Sequence, residues 1–314
     1  MLQSLPGSQY EVIWNGRGEE RFESYIFNIE TQEKRTVPHP IYTISPDGKW
    51  GMTPDFDRIQ DMRPGYGYAG FPDPNGDVLA PEDAGIYRVN LETGEAELVI
   101  SIADVAEIPF PNEDLSEAKH YFNHLLFAPA GNRFIFLHRW RFPDSDKYNN
   151  VGGFGTRMMT ANHDGSDIRV IDDSGFTSHF IWKGPDSIMA WTKLPSHGAA
   201  FYMFPDGPGE ARAVAPDIMT RNGHNTFIPG TNHEWILNDT YPDENRMIEV
   251  YLFHEPTHRK LTLGKFHLPE EYAGEWRVDT HPRSSRDGTM VVVDSPAGGN
   301  GRQLYLMDIS SIIQ

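Results

Sequence analysis

Apolar residues occur along this chain in short runs, separated at close intervals by polar punctuation. The runs are rich in Ile, Val, Phe, Tyr and Trp, and Asp-Gly, Pro-Asp and Gly-Asn pairs close them. β-Branched and aromatic side chains suit a pleated, half-buried surface, and Gly, Pro, Asp and Asn interrupt one. The pattern therefore predicts strands joined by tight turns. Nine such runs stand out, at residues 10–14, 24–29, 133–137, 157–161, 187–192, 234–237, 248–253, 289–293 and 303–307. Only 101–106 and 115–121 read as locally helical, so the predicted class is all-β.

The turns repeat. A Ser-Pro-Asp-Gly-like tetrapeptide separates two strands six times: Leu5-Pro6-Gly7-Ser8, Ser45-Pro46-Asp47-Gly48, Ala128-Pro129-Ala130-Gly131, Lys183-Gly184-Pro185-Asp186, Ile228-Pro229-Gly230-Thr231 and Ser285-Arg286-Asp287-Gly288. In most modules an aromatic strand then runs into a second turn, as at Tyr87-Arg88-Val89-Asn90-Leu91-Glu92-Thr93-Gly94. Four strands recurring every 40–60 residues are the signature of propeller blades. Six modules are visible, which predicts one β-propeller domain over residues 1–314. Its blade number is six as counted, or seven if an N-terminal blade is missing or cryptic. The longest insertion, 56–84, carries Arg63-Pro64-Gly65-Tyr66-Gly67-Tyr68 and is expected either to cover a channel mouth or to replace part of a blade.

Aligning the modules on their turns places His124, His179, His224 and His281 in one column, in four consecutive modules, with Ile41 in the second. Histidine is only 13 of 314 residues, so this is not the outcome of random placement. Innermost propeller strands line the central axis, and equal register means equal height. The four imidazoles are therefore expected to form one ring. Neutral imidazole is the commonest metal ligand, and Asp279, two residues before His281, points to the same face of its strand. A thiolate-free set of imidazole and carboxylate suits manganese, iron, zinc or nickel, whereas calcium would need more oxygen ligands. The bland alternative is a ring of hydrogen-bonded core histidines.

Composition narrows the functional classes. Lys+Arg 27 against Asp+Glu 45 gives a net charge of −18, which argues against a phosphate-backbone binder. The absence of cysteine excludes disulfides, zinc-thiolate and iron–sulfur sites and a cysteine nucleophile. The first residues, Met-Leu-Gln-Ser-Leu-Pro-Gly, lack a secretory pattern, and no apolar run is long enough for a membrane span, so a cytoplasmic location is expected. Gly-x-Ser-x-Gly, P-loop and dinucleotide fingerprints are missing. Against the acidic background, Arg139, Arg141, Arg157, Arg277 and Arg283, with Tyr241, fall near the predicted ring and invert the local charge, as an anionic substrate requires. Ordinary ion pairing is the competing explanation for each.

Three stretches, Gly155-Thr156-Arg157-Met158-Met159, Asp164-Gly165-Ser166-Asp167-Ile168-Arg169 and Ser178-His179-Phe180-Ile181-Trp182, resemble the oligogalacturonate lyases, which are β-propeller polysaccharide lyases. The resemblance runs from about Tyr121 to the C-terminus; the first 110 residues share only the generic blade pattern of TolB-like propellers. It implies seven blades, a divalent metal (usually manganese) held by histidines and a glutamine, and β-elimination by a histidine base assisted by an arginine. By position His179 matches the base and Arg157 the arginine, while His224 and His281 match metal histidines. Asp279 falls where a further metal histidine would be, His124 becomes a fourth ligand or a substrate contact, and Trp276 lies near the place of the unmatched glutamine. The resulting expectation is a manganese-dependent lyase for an anionic, uronate-containing oligosaccharide. The alternatives are a glycoside hydrolase on the same scaffold and a non-catalytic TolB-like propeller that binds protein or glycan.

Overall fold

The computed structural model describes residues 2–111, 113–143 and 153–313. The chain is an all-β, six-bladed propeller. Blade 1 is β1 (Leu2–Ser4), β2 (Glu11–Arg17), β3 (Phe22–Asn28) and β4 (Lys34–Val37). Blade 2 is β5 (Thr43–Ile44), β6 (Trp50–Pro54), β7 (Gly85–Asn90) and β8 (Ala96–Ser101). Blade 3 is β9 (Lys119–Phe127), β10 (Arg133–Arg141), β11 (Gly155–Asn162) and β12 (Arg169–Asp172). Blade 4 is β13 (Phe180–Trp182), β14 (Ser187–Leu194), β15 (Gly198–Pro205) and β16 (Arg212–Ala213). Blade 5 is β17 (Thr226–Phe227), β18 (Trp235–Asp239), β19 (Met247–His254) and β20 (Arg259–His267). Blade 6 is β21 (Arg283–Ser284), β22 (Met290–Ser295) and β23 (Gln303–Asp308), three strands among the described residues. Each sheet is an antiparallel meander in chain order. The chain divides into two compact units, 1–175 with blades 1–3 and 176–314 with blades 4–6.

All nine predicted runs are strands, and each of the six tetrapeptides joins the first and second strands of a blade. Each of those turns has one glycine with φ between +72° and +82°, in the left-handed region that glycine enters without a Cβ clash. Blades 2 and 6 share the same side-chain lock. Ser45 Oγ donates to Asp47 Oδ1 at 2.6 Å and accepts from Trp50 N–H, as Ser285 Oγ donates to Asp287 at 2.5 Å and accepts from Met290 N–H. The helical expectation holds at α2 (Ile102–Ala106), which Ser101 caps by accepting from Asp104 N–H at 3.0 Å. It fails at 115–121, because the stretch from Lys119 onward pairs with β10, and the ladder outweighs local propensity.

Within each unit, the apolar core lies between the faces of successive blades. In the first unit Ile13, Ile26, Ile41, Ile44 and Val89 form a cluster spanning blades 1 and 2, and Met52, Ile86, Phe122, Phe134 and Met159 one spanning blades 2 and 3. In the second unit Met189, Phe201, Ile236 and Phe253 span blades 4 and 5, and Leu237, Leu252, Val291 and Val293 span blades 5 and 6. Central strands such as β10 are therefore buried on both faces.

Residues 56–84 connect β6 to β7, beginning with α1 (Phe56–Met62). One guanidinium ties this connection together. Arg58, 1% exposed, donates to the carbonyls of His120, Asn75, Val78 and Leu79 and to Asp73 Oδ2, at 2.7–3.0 Å. At its base Asp55 Oδ2 accepts from Gly85 N–H at 2.8 Å. Burial, and then the neighbouring Asp57 charge, push the Asp55 carboxyl up to about 7. The unfolded chain loses this proton near pH 4 and the folded chain keeps it to about pH 7, so the contribution of Asp55 to stability falls as pH rises across that window. Asp55→Asn keeps the acceptor without the charge. In urea unfolding against pH, the variant is expected to match wild type near pH 4, and its advantage should grow until about pH 7.

Candidate metal centre

In the second unit three innermost strands start one or two residues after a histidine: His179 precedes β13, His224 precedes β17 and His281 precedes β21. This shared register brings the rings together. The His179 and His224 centroids lie 4.2 Å apart, and those of His224 and His281 3.6 Å. His281 has φ +37°, and His124, at the same register in blade 3, has φ +53°. Both sit in the left-handed region, which histidine tolerates better than branched residues.

His224 is held by Asp239, the last residue of β18, which is 1% exposed. Asp239 Oδ1 accepts the His224 backbone N–H at 2.6 Å, both its oxygens lie 3.0 Å from His224 Nδ1, and Thr280 Oγ1 donates to Oδ2 at 2.6 Å. Burial pushes the Asp239 carboxyl up, but these hydrogen bonds outweigh it and hold the group below its ordinary value. An ionised Asp239 fixes the proton on His224 Nδ1 and leaves the Nε2 lone pair free, the arrangement that orients metal-bound imidazoles. One ligand atom each from His224, Asp279 and His281 falls within 4.8 Å of the others. Asp279 also accepts from Arg277 Nη2 at 2.8 Å.

His179 stands on the other side of His224. Its Nδ1 lies 2.9 Å from Asn222 Oδ1, and Asn222 Nδ2 donates to Ser178 Oγ at 3.2 Å. The Nδ1–H tautomer leaves Nε2 as a base. Burial, and then the neighbouring His224, push the ring down to about 3, so it is neutral at ordinary pH. Tyr241 lies 5.8 Å from the His179 ring and 6.2 Å from His224, with the Arg277 guanidinium 5.7 Å from its own ring centroid. Burial, and then the neighbouring His224, push the His281 ring down to about 4, and Arg283, the first residue of β21, adds a smaller push in the same direction. The second unit thus gathers His179, His224, His281, Asp279, Tyr241, Arg277 and Arg283.

Of the expected ring, three members, His179, His224 and His281, stand together in the second unit, and among the described residues His224, Asp279 and His281 form a group of potential ligands. His124 belongs to the first unit, where its Nδ1 lies 3.2 Å from Tyr42 Oη. The role expected of Arg157 is corrected. It has no exposed surface, and its Nε, Nη1 and Nη2 donate to His138 Nδ1 and the carbonyls of Pro109 and Val105 at 2.9–3.0 Å. That makes it a structural tie and not a clamp for a solute. Arg139 and Arg141, on β10, also belong to the first unit. Asp239, Thr280 and Asn222 were not anticipated. The available signal was Asp239 itself, a carboxylate closing a wholly buried strand outside any Gly turn.

The chain matches no family profile and no curated protein. Solved structures share its architecture. An oligogalacturonate lyase in complex with manganese superposes with a TM-score of 0.61 at 14% identity, over 96% of this chain and 72% of that one. TolB from Acinetobacter baumannii gives 0.54 at 15% identity, over 96% and 61%. The propeller domain of the Trilobed protease from Pyrococcus furiosus gives 0.54 at 13% identity, over 98% and 82%. What these structures share with the chain is the β-propeller fold. Among the described residues, no helix is long and apolar enough to cross a membrane.

Gly223 is what allows the Asp239–His224 contact. A Cβ there would stand 1.8 Å from the Asp239 carbonyl oxygen and 2.7 Å from Oδ1. Gly223→Ala is expected to cost about 1–3 kcal/mol in chemical denaturation through overpacking. Divalent-metal affinity measured on the still-folded variant should fall with it, because His224 is displaced.

Proposed function

We propose that this propeller is a metal-dependent lyase that cleaves uronate-containing oligosaccharides by β-elimination. The observation carrying this reading is the placement of the Nδ1-protonated His179 against His224, within a His224–Asp279–His281 group able to hold a divalent ion. The donor set, two imidazoles and a carboxylate with the tautomer of His224 set by Asp239, fits manganese, iron, zinc or nickel. The manganese complex of the similar lyase fold supports manganese first. Such an ion supplies Lewis-acid neutralisation of the charge that develops on the uronate carboxylate.

The chain's own groups divide the remaining work. The neutral His179 takes the weakly acidic proton from the carbon that bears the carboxylate, through Nε2. Arg277 and Arg283 orient that carboxylate and offset its charge. Tyr241, between Arg277 and the imidazoles, donates a proton to the departing sugar oxygen as the carbon–oxygen bond breaks and the double bond forms.

Protein purified without chelator is expected to carry about one divalent ion per chain. His281→Ala should lose at least about tenfold in metal affinity, as for removal of a direct ligand. His179→Ala should keep the ion and lose at least about a hundredfold in turnover, the usual scale for a general base. Turnover is read as ultraviolet absorbance of an unsaturated uronate released from oligogalacturonates. New reducing ends without that absorbance assign hydrolysis instead. A metal-free protein without turnover assigns a non-catalytic TolB-like binding role.

A further inference from the structure

Blade 3 contains a buried guanidinium two of whose nitrogens have no hydrogen-bond partner among the described residues. Arg139 on β10 pairs with Tyr121 on β9 and with Thr156 on β11, and Asn123 is two residues along from Tyr121. Paired and alternate residues share a face, so all four project from the same side of the sheet. Arg139 and Thr156 are 3% exposed and Asn123 1%. Among the described residues, Arg139 Nε and Nη1, both amide atoms of Asn123 and Thr156 Oγ1 have no hydrogen-bond partner. Tyr121 Oη on the same face has none either; buried polar atoms are nearly always partnered, so six orphans on one face of one sheet require an explanation.

Two other buried guanidiniums provide the contrast. Arg58 and Arg157 spend their donors on carbonyls, an imidazole and Asp73. Arg139 instead lies 4.2 Å from the Phe154 ring centroid, and a second cation, Arg63, lies 4.5 Å from the same centroid and 3.5 Å from that of Tyr66. Neither Arg63 nor Arg139 forms an ion pair among the described residues, in a chain whose net charge is −18. Burial pushes Arg139 down to about 10, with Arg63 adding to the shift and Tyr121 opposing it, so it remains cationic at neutral pH. Ordered water satisfies orphaned donors but does not balance two cations.

We propose that this face of blade 3 is a binding site for a small hydroxy-carboxylate. Carboxylate oxygens accept from Arg139, Asn123 Nδ2 and Thr156, the ligand hydroxyl donates to Asn123 Oδ1, and Arg63 closes the site with its charge. The donor and acceptor types of the orphaned atoms match that ligand, and charge-assisted bonds from guanidinium to carboxylate are the strongest available here. All these residues belong to the first unit, so the site does not rest on the proposed metal chemistry.

The test uses the full chain and sodium glycolate, compared with sodium chloride at matched ionic strength. Glycolate is expected to raise the thermal midpoint saturably and to give a calorimetric binding isotherm. His224→Ala should leave that isotherm unchanged, which separates this site from the metal centre. Arg139→Lys keeps the charge but not the planar donor set and should weaken binding at least about tenfold. Asn123→Asp places a carboxylate beside Arg139 within the chain itself. It should raise the glycolate-free midpoint and abolish the glycolate response. The proposal is overturned if wild type shows no response beyond chloride, if Asn123→Asp responds like wild type, or if a crystal grown in glycolate has only water at Arg139 Nε and Nη1.

Discussion

A sheet that is apolar on both faces must be covered twice, and the rest of this molecule follows from that requirement. Strands such as β10, with eight of nine residues buried, have no solvent side. Within each unit, successive meanders therefore cover one another's faces. Stacking of this kind repeats the same register from blade to blade. A residue type placed just before the innermost strand in successive modules then arrives at corresponding places in successive blades. His179, His224 and His281 meet because of this repetition, although 45 and 57 residues separate them along the chain.

Repetition brings the imidazoles together, but it does not orient them. That falls to one buried carboxylate. Asp239 is tied to the His224 backbone, the His224 ring and Thr280, linking blade 5 to the segment that leads into blade 6. It stays ionised against the cost of burial because three donors face it. Two features make this contact possible: a glycine at 223, where any side chain would collide with Asp239, and the left-handed backbone at His281.

The arginines divide by what their environment gives them. Arg58 and Arg157 are cross-links whose donors are used by the protein itself. Arg277 serves Asp279 beside the imidazoles. Arg139 and Arg63 are instead left facing aromatic rings. Formal charge alone suggests a protein that repels anions. The acid is concentrated largely in exposed turns such as those at Asp47, Asp164 and Asp287, where it locks backbone N–H groups. Among the described residues, Arg63 and Arg139 form no ion pair, so net charge and local charge have opposite signs there.

The propeller was legible in the chain because turn chemistry is local: a Gly with positive φ closes the first hairpin of each blade, and in blades 2 and 6 a Ser and an Asp lock it, whatever surrounds it. The histidine column was legible for the same reason, since register is counted from those turns. The stretch 115–121 was misread, because only the partner strand β10 makes a ladder of its second half. Arg157 could not be assigned from the chain either. Whether a guanidinium faces solute or carbonyls depends on α2 and Pro109, which the fold brings against it from about fifty residues away. By itself the sequence determined the strands, the turns, the blade repeat and the residue types available for metal and acid–base chemistry, because these follow from periodicity and short-range backbone geometry. Tertiary structure alone decided which histidines stand together, that Asp239 orients one of them, and which arginines spend their donors on the protein itself. Burial and hydrogen-bond partnership belong to the packed chain, and no local pattern encodes them.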